Sequence, residues 1–322
     1  MVNTVLGSVE AKSLGKTLIH EHFVFGYPGY SGDVTFGAYD KEEALRIGIE
    51  TARKVQAYGV QTVVDPTPNE CGRDPLLLKE ISERTGLHIV CTTGYYYEGE
   101  GGTAYFRNRR SFADIESEIF EIMMTEITQG IGKTGVKAGA IKVASSEGAI
   151  TEYEQYFFRA AAKAQRATGV PIITHTQQGT MGGDQARLLI EHGAEPSRIV
   201  IGHMDGNADV SYHLDTLQQG VYVALDRFGL QTPGFPKDTV RETVLLGLLG
   251  MGYADRLMLS HDTVNLFLGR PRIFTGELAE LNQTYEITHL FRNVIPRLQA
   301  RGVSEETLNT IFVDNPRRLF GG

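Results

Sequence analysis

Short apolar runs recur along this chain, and between them apolar positions return every three to four residues. The first pattern is that of buried β-strands, the second that of amphipathic helices. The run at 17–19 opens the series and gives way to a Gly-, Tyr- and Pro-rich loop at 26–33. A helical pattern over 41–58 leads to a strand at 60–65, a helix at 74–85 and a strand at 88–92. A loop at 94–102 precedes a helix at 114–129. The alternation then continues with strands at 137–143, 170–175, 198–202, 221–225 and 256–260. Helical patterns at 152–168, 183–192, 209–219 and 238–250 separate them, and two more close the chain at 290–301 and 305–312.

Eight strands alternating with helices over about 250 residues predict an α/β protein, a (β/α)8 TIM barrel with extra C-terminal helices. A single barrel domain over 1–322 is the expected organisation. Two doubly wound halves would use the same alternation, but no composition break separates them. No Gly-rich phosphate-binding fingerprint follows the first strand either.

In such barrels the chemistry sits at the carboxyl ends of the strands. Those ends carry His20 and His22, Lys142, His175, His203 and Asp262. His20 and His22 stand two apart, so in a strand they share one face and can share one metal ion. Each histidine alone also suits a buried, hydrogen-bonded core position. Together on one rim they point to metal ligation. Lys142 is the odd member, because an ammonium repels cations. Its strand, Ala138 to Val143, is apolar, so the amine is expected to be buried with a lowered pKa. A neutral amine can add CO2, and the resulting carbamate is a carboxylate able to bridge two ions. Ser260, His261 and Asp262 are not read as a serine triad, since adjacent strand residues alternate faces.

The bulk numbers narrow the function. The chain has 322 residues, 41% hydrophobic and 22% charged, and a net charge of -8 without a Lys/Arg run. Nucleic acid is therefore not the expected partner. No apolar run is long enough to span a membrane, and the amino terminus shows no basic region followed by an apolar core. Cys71 and Cys91 are the only cysteines, which fits a reducing compartment and a cytoplasmic location.

Gly15-Lys16-Thr17-Leu18-Ile19-His20-Glu21-His22, with Lys142, Ile-Thr-His-Thr at His175, Ile-Gly-His-Met-Asp at His203 and Leu-Ser-His-Asp at Asp262, resembles the phosphotriesterase family of the amidohydrolase superfamily. Within it the chain is most similar to the phosphotriesterase-like lactonases. The resemblance implies two divalent ions, zinc first, with cobalt, iron or manganese also compatible with such ligands. One ion would be held by His20, His22 and Asp262, the other by His175 and His203. Carboxylated Lys142 and a hydroxide would bridge them, the hydroxide attacking and Asp262 accepting its proton.

Tyr96 and Arg227 match the tyrosine and arginine that lactonases place beside the metals, and Asp205 is placed to support Arg227 or a ligating histidine. True phosphotriesterases tend to carry histidine where Arg227 stands. The expected substrates are therefore small lactones (γ/δ-lactones or acyl-homoserine lactones), with weak phosphotriesterase activity and, as in the family, a homodimer. The apolar segment 263–271 is expected to form the substrate wall and lid. Competing readings are a true phosphotriesterase, an amide or carbamate hydrolase, and a non-catalytic metal-binding barrel.

Overall fold

A computed structural model describes residues 1–100 and 104–321; Gly101 and Gly102 of the expected 94–102 loop lie outside the described residues. Eight parallel strands make one sheet: β1 (Lys16–Leu18), β2 (Val60–Asp65), β3 (His88–Gly94), β4 (Ala140–Ser145), β5 (Ile172–Thr176), β6 (Ile199–Ile201), β7 (Tyr222–Leu225) and β8 (Leu257–Leu259). Each pairs in parallel with its neighbour in sequence order. The helices between them include Lys41–Gln56, Pro75–Thr85, Ile115–Thr128, Glu152–Thr168, Gly182–Glu191, Val210–Leu217 and Asp238–Gly250. This is the expected (β/α)8 architecture. Helix starts follow local chemistry: Asp40, Asp74, Asp114, Thr151 and Asp209 each accept a hydrogen bond from a first-turn N–H.

Strand residues alternate between two cores. Val63, Ile141, Ile172, Ile199, Ile201, Val223 and Leu257 pack outward on the helices. Val64, Ala140, Ile173, Val200, Tyr222, Ala224 and Met258 fill the barrel, closed below by Leu14, Leu319 and Phe320. A small antiparallel hairpin, Val2–Thr4 with Gly7–Val9, covers that lower end.

The seam between β8 and β1 is where expectation and structure part. Among the described residues these strands share no ladder. Instead His20 N–H donates to Ser260 Oγ (3.1 Å) and Asp262 N–H donates to the His20 carbonyl (3.0 Å). Past that point His22–Phe25 pairs in parallel with Val264–Phe267. The first strand therefore stops at Leu18, His20 lies in a bend, and His22 opens a second strand, rather than both histidines ending one strand. The reason is a change of partners, since the Glu21 N–H still donates to Val64 of β2 while the His22 N–H donates to Thr263. Alternation survives the break. Glu21 is buried on the side opposite the histidines, where its carboxylate takes Ser260 Oγ and the N–H groups of His261 and Thr263. The segment expected as substrate wall and lid does line the cavity. Four residues of 263–271 form a rim strand there, held by backbone pairing. No helix among the described residues is long and apolar enough to cross a membrane.

Candidate active site

The period of two that fills the barrel also delivers the functional groups. Lys142 is one pleat above inward Ala140, His175 one above Ile173, and Asp226 one above Ala224. His203 and Asp262 follow β6 and β8 with φ of 58° and 53°. A left-handed backbone is uncommon for such residues and is a form of strain that persists where surroundings enforce it. Both side chains face the same cavity, about 720 Å³ in volume, which His20, His22, Lys142, His175, Tyr96 and Arg227 also line.

Asp226 organises the centre. Its Oδ2 lies 2.8 Å from His20 Nδ1, and its Oδ1 lies 2.9 Å from His203 Nδ1 and also accepts the His203 backbone N–H. His22 Nδ1 sits 2.7 Å from Thr67 Oγ1, which in turn donates to Asp65. With each Nδ1 proton so engaged, the Nε2 lone pairs are left for a ligand. They converge on Asp262: His22 Nε2 is 3.2 Å and His20 Nε2 3.5 Å from Oδ1, and His203 Nε2 is 3.7 Å from Oδ2. Two groups, His20 with His22 and Asp262, and His20 with His203 and Asp226, bring ligand atoms within 4.8 Å of one another. Imidazoles of fixed tautomer around a carboxylate suit a divalent ion. His175 differs, since its Nε2 faces Gln177 Oε1 at 2.8 Å and leaves Nδ1 as the ring nitrogen for an ion. Its ring packs edge-on to His203 at 4.6 Å between centroids.

Lys142 is 1% exposed, with Nζ 3.3 Å from His20 Nε2. Burial lowers its pKa to about 8. Burial likewise pushes His20, His175 and His203 down, towards the neutral form that binds metal, with cationic neighbours adding to the effect. For His22 burial is outweighed by Asp262 and Asp65, which raise it to about 9. Burial opposes ionisation of Asp262, yet the Arg227 guanidinium and the hydrogen bond from protonated His22 hold its carboxyl well below the usual range. The Ser260-His261-Asp262 sequence is no triad: His261 Nδ1 and Ser260 Oγ both face Glu21.

The sequence profile of the phosphotriesterase family matches residues 1–320. The chain belongs to the phosphotriesterase family. It is 35% identical over 324 residues to an aryldialkylphosphatase of Saccharolobus solfataricus, with 97% of each chain covered. It is 56% identical to the solved organophosphorus hydrolase of Deinococcus radiodurans, with a TM-score of 0.98 over 99% of this chain and 96% of that one. A further solved structure, described as the engineering of organophosphate hydrolysis activity from a weak promiscuous lactonase template, is 54% identical with a TM-score of 0.98, all of both chains being covered. The chain is thus a hydrolase of this family with a candidate metal site.

Arg227 Nε lies 2.9 Å from Asp262 Oδ2, and the Arg227 backbone N–H donates to Asp205 Oδ2 at 2.9 Å. Asp205 thus meets Arg227 through the main chain; its charged partner is the buried Arg241, at 2.9 Å, and no ligating histidine. Tyr96 stands edge-on to His175 at 5.0 Å, while Tyr97, unremarked in the sequence, stacks on the same imidazole at 5.3 Å. The loop bearing both tyrosines is tied to β4 by the Tyr95 N–H, which donates to the Lys142 carbonyl at 3.0 Å, and the approach is so close that a Cβ at Gly94 would lie 1.9 Å from that oxygen. Asp226, Thr67, Asp65 and Gln177 also escaped the sequence reading. For Asp226 a signal existed: it continues the inward register of Tyr222 and Ala224.

Proposed function

We propose that this chain is a binuclear metal-dependent hydrolase that opens lactone rings. His20, His22 and Asp262 would hold one divalent ion, His175 and His203 the other, with Lys142 joining them as its carbamate, formed by adding CO2 to the neutral amine with loss of a proton. When bound, two such ions acidify coordinated water and polarise the scissile carbonyl.

The protein's own contribution rests on Asp262. Its carboxyl is held ionised, so it can accept a proton from the attacking water and pass it to the leaving alkoxide. Arg227 Nε keeps Oδ2 in place and leaves guanidinium donors free to orient a ring oxygen beside it. Tyr96 supplies a hydroxyl in the same cavity for the developing oxyanion. Asp226, Thr67 and Gln177 fix the imidazole tautomers. The Arg227–Asp262 pair carries the lactone reading, since a cationic donor next to the proton carrier suits an alkoxide leaving group.

A second, weaker activity on phosphotriesters is favoured by the aromatic mouth. The chain has no tryptophan, yet Phe25, Tyr27, Phe235, Phe267 and Phe274 line the cavity and offer room for an aryl group. The test is a panel of γ-lactones, δ-lactones, acyl-homoserine lactones and paraoxon-like esters on metal-quantified protein. The best lactone should exceed every phosphotriester in kcat/KM by at least about a hundredfold, roughly 2.7 kcal/mol of transition-state preference. Equal efficiency on paraoxon-like esters would overturn the lactonase reading and leave a binuclear phosphotriesterase.

A further inference from the structure

The cavity wall is a ladder of rings with one end at the ligands and the other at the mouth. His22 meets Phe25 edge-on at 5.3 Å, and Phe25 meets Tyr27 at 5.3 Å. The last rung is a charge: the Arg272 guanidinium stands 5.1 Å from the Tyr27 ring and 3.8 Å from that of Phe267. Phe25 and Phe267 face one another across the paired rim strands, so the guanidinium rests on a hydrogen-bonded support.

Three side chains lining this cavity are cationic by nature, and two are committed. Arg227 is paired with Asp262, and Lys142 lies among the ligands. Arg272 has no carboxylate within ion-pair reach among the described residues. The acids near the mouth are engaged elsewhere: Asp33 pairs with Arg270, Glu43 with Arg46, and Asp40 caps the helix at Glu43. A planar guanidinium stacked on aromatic rings keeps its hydrogen-bonding edge free and matches a carboxylate in two-point geometry.

We propose that Arg272 anchors an anionic group at the far end of the substrate, so that the site selects molecules in which a carboxylate-type anion is separated from the scissile bond by an extended apolar chain. The chain would lie along Phe25 and Tyr27 with the reacting carbonyl at Asp262. This rests on the reading of the cavity as the hydrolytic site. It also runs against the net charge of -8, which by itself disfavours anionic substrates.

The test uses two 5-alkyl γ-lactones of equal chain length, one ending in methyl and one in carboxylate. The metal-loaded wild type should prefer the carboxylate probe in kcat/KM by about two- to fivefold, the range of a partly solvated ion pair, and added salt should erode the preference. R272Q should abolish the preference, lowering kcat/KM for the carboxylate probe more than for the methyl probe. R272K should keep part of it, and R270Q, at a cation outside the cavity, all of it. A wild type that disfavours the carboxylate probe, or an unaltered preference in R272Q, overturns the proposal. Should neither lactone turn over, the lactonase reading fails separately. Inhibition of paraoxon hydrolysis by nonanoate then decides: a Ki raised in R272Q supports the anchor, and an unchanged Ki, as when the carboxylate goes to the ions, overturns it.

Discussion

Arg227 Nε and Asp262 Oδ2 are 2.9 Å apart, in a cavity where the other carboxylate oxygen faces His22 and His20. The two oxygens thus have different neighbours, the His22 and His20 nitrogens on one side and, on the other, a fixed cation with His203 Nε2 farther off at 3.7 Å. An amide in place of the carboxylate preserves shape and one oxygen ligand but removes the proton acceptor. Asp262→Asn should therefore lower kcat by about two to four orders of magnitude, the span of a lost general base, while some metal is retained. Steady-state kinetics beside elemental analysis will check this. An unchanged kcat would reduce Asp262 to a ligand.

Asp226 gives a sharper test of the metal centre, because it touches no reacting atom. Its two oxygens hold the Nδ1 atoms of His20 and His203. Asparagine offers one acceptor and presents an N–H2 group to the second ring. That ring must then expose a lone pair at Nδ1 and carry its proton on Nε2, where it cannot ligate. Asp226→Asn is expected to weaken divalent-ion affinity about 10- to 100-fold, with the far-UV circular dichroism spectrum retained. Chelator competition measures the affinity. Wild-type affinity would mean that something else sets the ring orientation.

The contrast between Asp226 and the histidines shows what a sequence can disclose. His175, Lys142 and the strands beneath them were legible because apolar alternation fixes which residues point inward. Asp226 obeys the same alternation. It was passed over because its meaning depends on partners 206 and 23 residues away. The rim strand Val264–Phe267 was hidden for a related reason. All four residues are only partly buried, so locally they look like an apolar flap, and only pairing with His22–Phe25 makes them a strand. The hairpin at the barrel floor has strands of three residues, too short for any period to appear. The change of partner at His20 is equally invisible, since it depends on which backbone groups β2 and β8 leave unpaired.

Lys142 links burial to chemistry that solution experiments can read. With its pKa lowered to about 8, roughly a tenth of the amine is neutral at pH 7, against less than about a thousandth for an ordinary lysine. Carbamate forms only from the neutral amine, so rebuilding the site from apo-protein should quicken with bicarbonate and with rising pH from 7 to 8. Lys142→Ala should lose most activity and regain part of it with acetate or propionate. A fully active, metal-loaded Lys142→Ala protein without added acid would remove the bridge.

The last expectation concerns Glu70, behind the Tyr96 loop. Its Oε1 accepts the Tyr96 backbone N–H at 2.7 Å, while Oε2 has no partner among the described residues. Burial raises its carboxyl from 4.5 to about 7. Between those values the folded chain holds a proton that the unfolded chain has released. Stability must then fall as pH rises through this window and stay lower above it. Glutamine keeps the acceptor for Tyr96 and removes the charge. Glu70→Gln should therefore be more stable than wild type at pH 8 by about 1–3 kcal/mol, and no more stable at pH 4.5. Thermal scans at matched rates should show a higher Tm for the variant only at the upper pH, the gap closing as the carboxyl takes up its proton. If the variant and wild type differ by the same Tm at both pH values, Glu70 ionises without cost to the fold, and its carboxylate must be better solvated than its one unpartnered oxygen implies.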